Sequence, residues 1–171
     1  SITDNAVLIT KTIIPAEILP VAITISTLVH HVIGLSILLF VLVGFYSVHL
    51  SALWILLYLP ILLLLAQGLG WIAATLQVFL RDTIQALQIM MFLWMWFTPV
   101  FYASTLVPPN FRFIFSLNPM ALVVTGYRNS LLHLNQPSPS QVVFAFLASI
   151  VIFIAGGLVF KQAKPAFPDV L

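Results

Sequence analysis

The sequence contains no cysteine, which removes disulfide frameworks, thiolate metal sites and thiol catalysis and leaves the redox compartment open. Charge is almost as scarce. Six Lys and Arg and four Asp and Glu make up 6% of 171 residues, against roughly 25% in an average soluble domain. Side chains this few cannot cover the surface of a soluble fold of this length. The basic residues are scattered singly, so no cluster offers the phosphate contacts that nucleic-acid binding requires, and nucleic acid is excluded as a partner. The phosphate-cradling pattern G-x-x-x-x-G-K-[ST] is absent, so the chain has no P-loop of its own for ATP. Neither an initiator Met nor a basic-then-apolar signal precedes Ser1, and the chain is expected to be a piece of a longer protein.

What is present is apolar. Hydrophobic residues make up 62% of the chain and the mean hydropathy is +1.18, which points to an all-α polytopic bundle of membrane helices with lipid as its main contact. A bilayer core needs roughly 20 apolar residues of helix, and four stretches qualify, at about 18–46, 52–80, 83–102 and 142–160. The links between the first three are short, so consecutive spans are antiparallel neighbours. The first two exceed the span length and must tilt or kink, with Pro60 and Gly68-Leu69-Gly70 as bend points. Lys11, Arg81, Lys161 and Lys164 fall on one side and Arg112 and Arg128 on the other, which puts both ends in the cytoplasm.

Two connections stand out. The outward one, about 103–141, is no polar loop: Phe111 to Phe115 and Met120 to Leu132 are apolar pieces too short to span, as in re-entrant or interfacial helices. Asn118-Pro119 fits a helix start, with Asn as cap and Pro in the first turn. Spacing alone fits either a lid on the outer leaflet or a gate over a pathway. Ahead of the first span, Asp4 to Ile14 reads as a short helix with a mixed apolar face and Lys11 beside it, stopped by Pro15. It serves equally as an interfacial anchor or as a docking helix.

Catalytic constellations fail on geometry. Gly68 to Ala73 matches G-x-G-x-x-A but lies inside an apolar span without the required acid, and reads as helix packing. His30 and His31 point about 100° apart on a helix and form no chelate; a structural hydrogen bond fits them, with a proton relay as the alternative. Glu17 and Asp82 make no acid–base pair, and no metal site is expected. The third stretch is aromatic: Trp94, Phe97 and Phe101 follow helical spacing on one side, Phe92 and Trp96 on another, and Tyr102 ends it. These rings suit lipid contact or, alternatively, stacking against sugar rings. Arg112 and Arg128 suit snorkelling to headgroups or contact with an anionic polymer or carrier.

Asp4-Asn5-Ala6-Val7-Leu8-Ile9 with Pro15-Ala16-Glu17-Ile18-Leu19-Pro20, then Phe79-Leu80-Arg81-Asp82, Thr98-Pro99-Val100-Phe101-Tyr102 and Leu117-Asn118-Pro119 with Tyr127-Arg128, together resemble the permease subunit of type-2 ABC exporters. The likeness is to those that move O-antigen, teichoic-acid or capsular polysaccharides, and Phe167 to Leu171 resembles the family's ending. The resemblance implies the last four of six spans, a homodimer in the bacterial inner membrane, no enzyme activity or cofactor in this chain, and ATP bound by a separate ATPase subunit. That ATPase would receive the short helix, here Asp4, Asn5, Leu8 and Lys11 with Pro15 and Glu17. Arg81 and Asp82 would form the cytoplasmic turn, the third-span aromatics would line the pathway, and Asn118, Pro119, Tyr127 and Arg128 would belong to two outward gate helices at about 110–117 and 119–132. The implied cargo is a lipid-linked glycan, as in lipopolysaccharide biosynthesis; a drug or lipid exporter of the same family and a non-transporting anchor are the alternatives.

Overall fold

The computed structural model describes residues 17–45, 50–80, 82–102, 106–132 and 138–167. Helix α1 spans Ile18–Phe45. A 3-10 turn at Leu50–Trp54 leads into α2, Ile55–Phe79. Then come α3 at Thr83–Trp96, a 3-10 turn at Pro109–Phe111, α4 at Arg112–Leu117 and α5 at Pro119–Leu132. Helix α6, Pro139–Ala163, and a 3-10 turn at Lys164–Ala166 complete the order. No strand occurs among the described residues. The implied docking residues Asp4, Asn5, Leu8, Lys11 and Pro15, and Arg81 of the turn, lie outside them.

Among the described residues three helices are long and apolar enough to cross a membrane, α1, α2 with its preceding turn, and α6 with its following turn. The chain is a multi-pass helical membrane protein. Helix α3 has 14 residues, about 21 Å at 1.5 Å per residue, short of a bilayer core of about 30 Å. The third stretch, expected to be helical to residue 102, is therefore helical only to Trp96. Pro99 is the physical cause: it cannot donate to the carbonyl four residues back, and its ring disfavours helical backbone at Thr98.

The bundle centres on α2 and α6, which run parallel. Tyr58 and Ile61 cluster with Ala145 near one end, and Val78 with Phe160 and Phe167 at the other. Between them the backbones touch. A Cβ on Gly68 would lie 2.6 Å from the Ile152 carbonyl oxygen, and one on Gly156 would overlap the Gly68 carbonyl. With fully buried Ala145 and Ser149 these glycines form the small-residue seam by which apolar helices approach closely in lipid. Gly68, expected as a bend point, thus lies at a helix crossing, and α2 continues unbroken through it and Pro60.

Helices α1 and α3 run antiparallel to α2. Leu19 of α1 packs on the Val78–Phe160–Phe167 cluster, and Leu87 of α3 shares a cavity with Leu19, Ala73 and Gln77. Helix α1 is the barest of the long helices: Pro20 is its one buried residue. At its start Lys164 Nζ donates to both oxygens of Glu17, at 2.7 and 2.8 Å. That hydrogen bond, rather than burial, holds the Glu17 carboxyl below its ordinary range.

Candidate functional site

Helices α4 and α5 are antiparallel arms of one hairpin. Arg112 and Thr125 border the same cavity, as do Ser116 and Leu122 one turn deeper. Asn118-Pro119 forms the tip, level with the end of α3. Asn118 Oδ1 accepts from the Met120 amide at 3.1 Å, the expected helix cap. From there α5 climbs to the far end of the bundle, where Ser51 Oγ donates to the Ser130 carbonyl at 3.0 Å. The hairpin enters and leaves on one side.

Against it lies the irregular backbone that follows α3. At membrane depth, carbonyls released from a helix need donors from the protein, and here side chains supply them. The Tyr102 hydroxyl donates to the Trp96 carbonyl at 2.6 Å. Asn118 Nδ2 donates to the Phe97 carbonyl at 3.0 Å and to Thr98 Oγ1 at 3.3 Å. The Arg128 guanidinium reaches three carbonyls, those of Pro99 at 2.7 Å, Val100 at 2.9 Å and Tyr102 at 2.8 Å. The Val100 amide closes on Thr98 at 2.7 Å. Carbonyls 96 to 100 and 102 are all paired, and Thr98 and Pro99 are almost fully buried.

The site therefore consists of sequence pieces far apart in the chain. Thr98 to Tyr102, Asn118-Pro119 and Arg128 interlock. Trp94 joins them, its indole N–H donating to Asn118 Oδ1 at 3.2 Å. Trp94 and Thr98 also line an apolar cavity of 270 Å³ walled by Leu62, Leu65, Met91 and Met120. The helical grouping of Trp94 with Phe97 and Phe101 does not survive the end of α3: Phe97 and Phe101 lie on irregular backbone, and both are exposed. Phe92 and Trp96 are exposed too, edge to face with ring centroids 6.4 Å apart. Arg128 does not snorkel; its guanidinium is engaged by backbone. Arg112 is exposed, with Nε donating to the Val107 carbonyl at 3.2 Å.

On its other face α5 meets the bundle. Gly126 lies against the Tyr58 ring, where a Cβ would overlap it. Tyr127 stands 6.3 Å from Tyr58, ring to ring, and its hydroxyl is hydrogen-bonded to His31 Nε2 at 3.2 Å. His30 turns back to the Ser26 carbonyl at 2.7 Å, so the two histidines diverge as adjacent helical residues must. Glu17 and Asp82 sit at the opposite end of the bundle from the mouth of the hairpin. No metal-holding group of side chains occurs among the described residues.

Tyr127, Arg128, Asn118 and Trp94 stand out in the sequence without their pairings, and Tyr58 and Gly126 do not stand out at all. A glycine on an amphipathic helix opposite a buried tyrosine leaves no local signal.

These features define a class, a polytopic helical membrane protein with a re-entrant hairpin seated on a broken helix. The chain belongs to the ABC-2 type transporter family, whose pattern matches residues 2–132. Its relatives include an O-antigen export system permease protein RfbA of Klebsiella pneumoniae, 25% identical over 178 residues, and one of the same name from Myxococcus xanthus, 25% identical over 175 residues. The first alignment covers 100% of this chain and the second 99%, and the chain spans 66% of each relative's length.

Proposed function

We propose that this chain is part of the permease of an ATP-driven exporter that carries a lipid-linked polysaccharide, such as an O-antigen, teichoic acid or capsule, across the bacterial inner membrane. The observation that carries the reading is the hairpin on the break after α3. Irregular backbone at membrane depth is tolerated where protein buries it or where it lines a cavity, and a short helical hairpin held by side chains is an element that can gate a path. The relatives' names point to a glycan as cargo.

In this reading the ends of the chain face the cytoplasm, together with the Glu17–Lys164 pair, and the hairpin opens outward. A separate ATPase binds ATP and engages residues 4–15, ahead of α1. Glu17 and Asp82 lie at the same end. Two permease copies and two ATPases make the working unit. Exposed Phe92, Trp96, Phe97 and Phe101 offer flat faces on which sugar rings stack.

The test uses the full-length permease expressed with its ATPase in cells that lack the native permease. Surface glycan is expected only when both are present and the ATPase is active, and the two are expected to co-purify. Surface glycan that persists without the permease, or an ATPase that never co-elutes, would sink the proposal. Restored resistance to a drug with no change in surface glycan would instead assign the chain to the drug-exporting branch.

A further inference from the structure

Most polar side chains of α1 bond within the helix. Thr24, Thr27, His30 and Ser36 bond to carbonyls of their own helix, those of Pro20, Ile23 and Thr24, Ser26, and Val32, at 2.7 to 3.0 Å. Such bonds satisfy a polar group in an apolar helix without joining it to anything. Glu17, just ahead of α1, and His31 reach another element. Glu17 binds Lys164 at the helix start; His31, 14 positions later and about 21 Å along the axis, binds Tyr127 of the hairpin.

The His31 contact is specific in shape. Its ring meets Tyr127 edge to face, with centroids 5.7 Å apart and planes at 63°, and Tyr58 backs Tyr127 from α2. Tyr127 is followed directly by Arg128, which holds the carbonyls of the broken segment. One turn of α5 therefore carries a handle toward α1 and a clamp on the break. Helix α1, almost devoid of buried residues, can shift as a rod with little packing to undo.

We infer that the His31–Tyr127 bond is a positioning contact by which the re-entrant hairpin follows α1, so that motion of α1 is felt at the 97–102 segment. The inference rests on the transport reading above, in which the ATPase acts on the chain just ahead of α1.

The test uses the full-length permease reconstituted in liposomes with its ATPase, with ATP hydrolysis and glycan transport measured on the same preparation. His31→Phe and Tyr127→Phe each keep a ring and lose the bond. Transport per ATP is expected to fall by about three- to tenfold, the change that one net hydrogen bond makes in a conformational equilibrium, with hydrolysis unchanged. His31→Gln, whose amide can again pair with the hydroxyl, restores most of it, and the double Phe variant is no worse than either single one. Wild-type coupling in both Phe variants overturns the inference, as does a parallel loss of hydrolysis and transport that Gln does not relieve, because that pattern marks a packing role. If the wild-type pair shows no ATP-dependent transport, the transport reading itself fails and the inference falls with it; ATP-dependent transport with unaltered Phe variants removes the inference alone.

Discussion

Replacing Arg128 with Met tests the idea that one side chain holds the broken segment. Methionine fills similar length and suits an apolar bundle, so the change isolates the guanidinium. Three carbonyls, of Pro99, Val100 and Tyr102, lose their donor together. Each hydrogen bond to a charged group contributes about 1.5–3 kcal/mol net, and a buried acceptor left unpaired costs about 1–3 kcal/mol. Arg128 is half-buried, which lets water partly replace it, and bonds on one short segment are not additive. An expected loss of about 3–4 kcal/mol follows.

At roughly 2–4 °C per kcal/mol for a chain of this size, the thermal midpoint in detergent falls by about 6–16 °C. Arg128→Lys keeps the charge, but its compact ammonium lacks the fork that spans three acceptors. Its midpoint should lie between wild type and Met. A Met variant within about 1 °C of wild type would refute the reasoning, because the carbonyls would then have found other donors without loss.

Other perturbations probe the remaining contacts. Gly156→Ala forces α2 and α6 apart at the Gly68 carbonyl and is expected to destabilise by about 1–3 kcal/mol, read as a lower midpoint, whereas Gly70→Ala, with open space around it, should be neutral or slightly stabilising. Gly126→Ala drives a methyl into the Tyr58 ring and should lower the midpoint by several degrees, a loss that Tyr58→Leu in the same chain partly relieves. Glu17 is ionised more readily when folded, so its contribution is full above the unfolded carboxyl pKa of 4.5 and is lost as pH falls through the lower folded value. With the two side chains 41% and 38% exposed, the pair contributes less than about 1 kcal/mol. Glu17→Gln should therefore shift the midpoint slightly at pH 7 and not at all in strong acid, and added salt should shrink the difference at pH 7.

The long spans were legible because hydropathy over 20 or more residues leaves few alternatives, and Asn118-Pro119 was legible because capping is local chemistry. The end of α3 was harder. Apolar residues continue to Tyr102, and hydropathy cannot distinguish helix from irregular backbone that is equally apolar; Pro99 was the available signal, since a helix tends to end before the residue preceding a proline. The partners of Arg128 and His31 were not legible. Arg128 bonds residues 26 to 29 positions away, and His31 bonds one 96 positions away. Neither separation imposes a periodicity, and a lone arginine in an apolar helix has the same sequence whether it meets headgroups or carbonyls.

The break and the hairpin are best understood as one unit. Pro99 ends α3 inside the apolar bundle and releases carbonyls that lipid cannot satisfy. Asn118 and Arg128 supply the missing donors from the tip and the middle of α5. If the hairpin withdrew alone, it would give up the Asn118 and Arg128 bonds together and leave buried acceptors unpaired, a penalty of several kcal/mol. If it moved with residues 97–102, the Asn118 and Arg128 bonds would be kept, and the polar cost would fall on fewer contacts, those of Trp94 to Asn118, of the Tyr102 hydroxyl to the Trp96 carbonyl and of Ser51 to the Ser130 carbonyl. The second route is the less costly, so opening along this face would displace the hairpin and the broken segment as one body. The moving boundary would then be the apolar cavity between Trp94, Leu65 and Met120, where most side chains can slide past one another and the Trp94–Asn118 bond is the one polar contact to break.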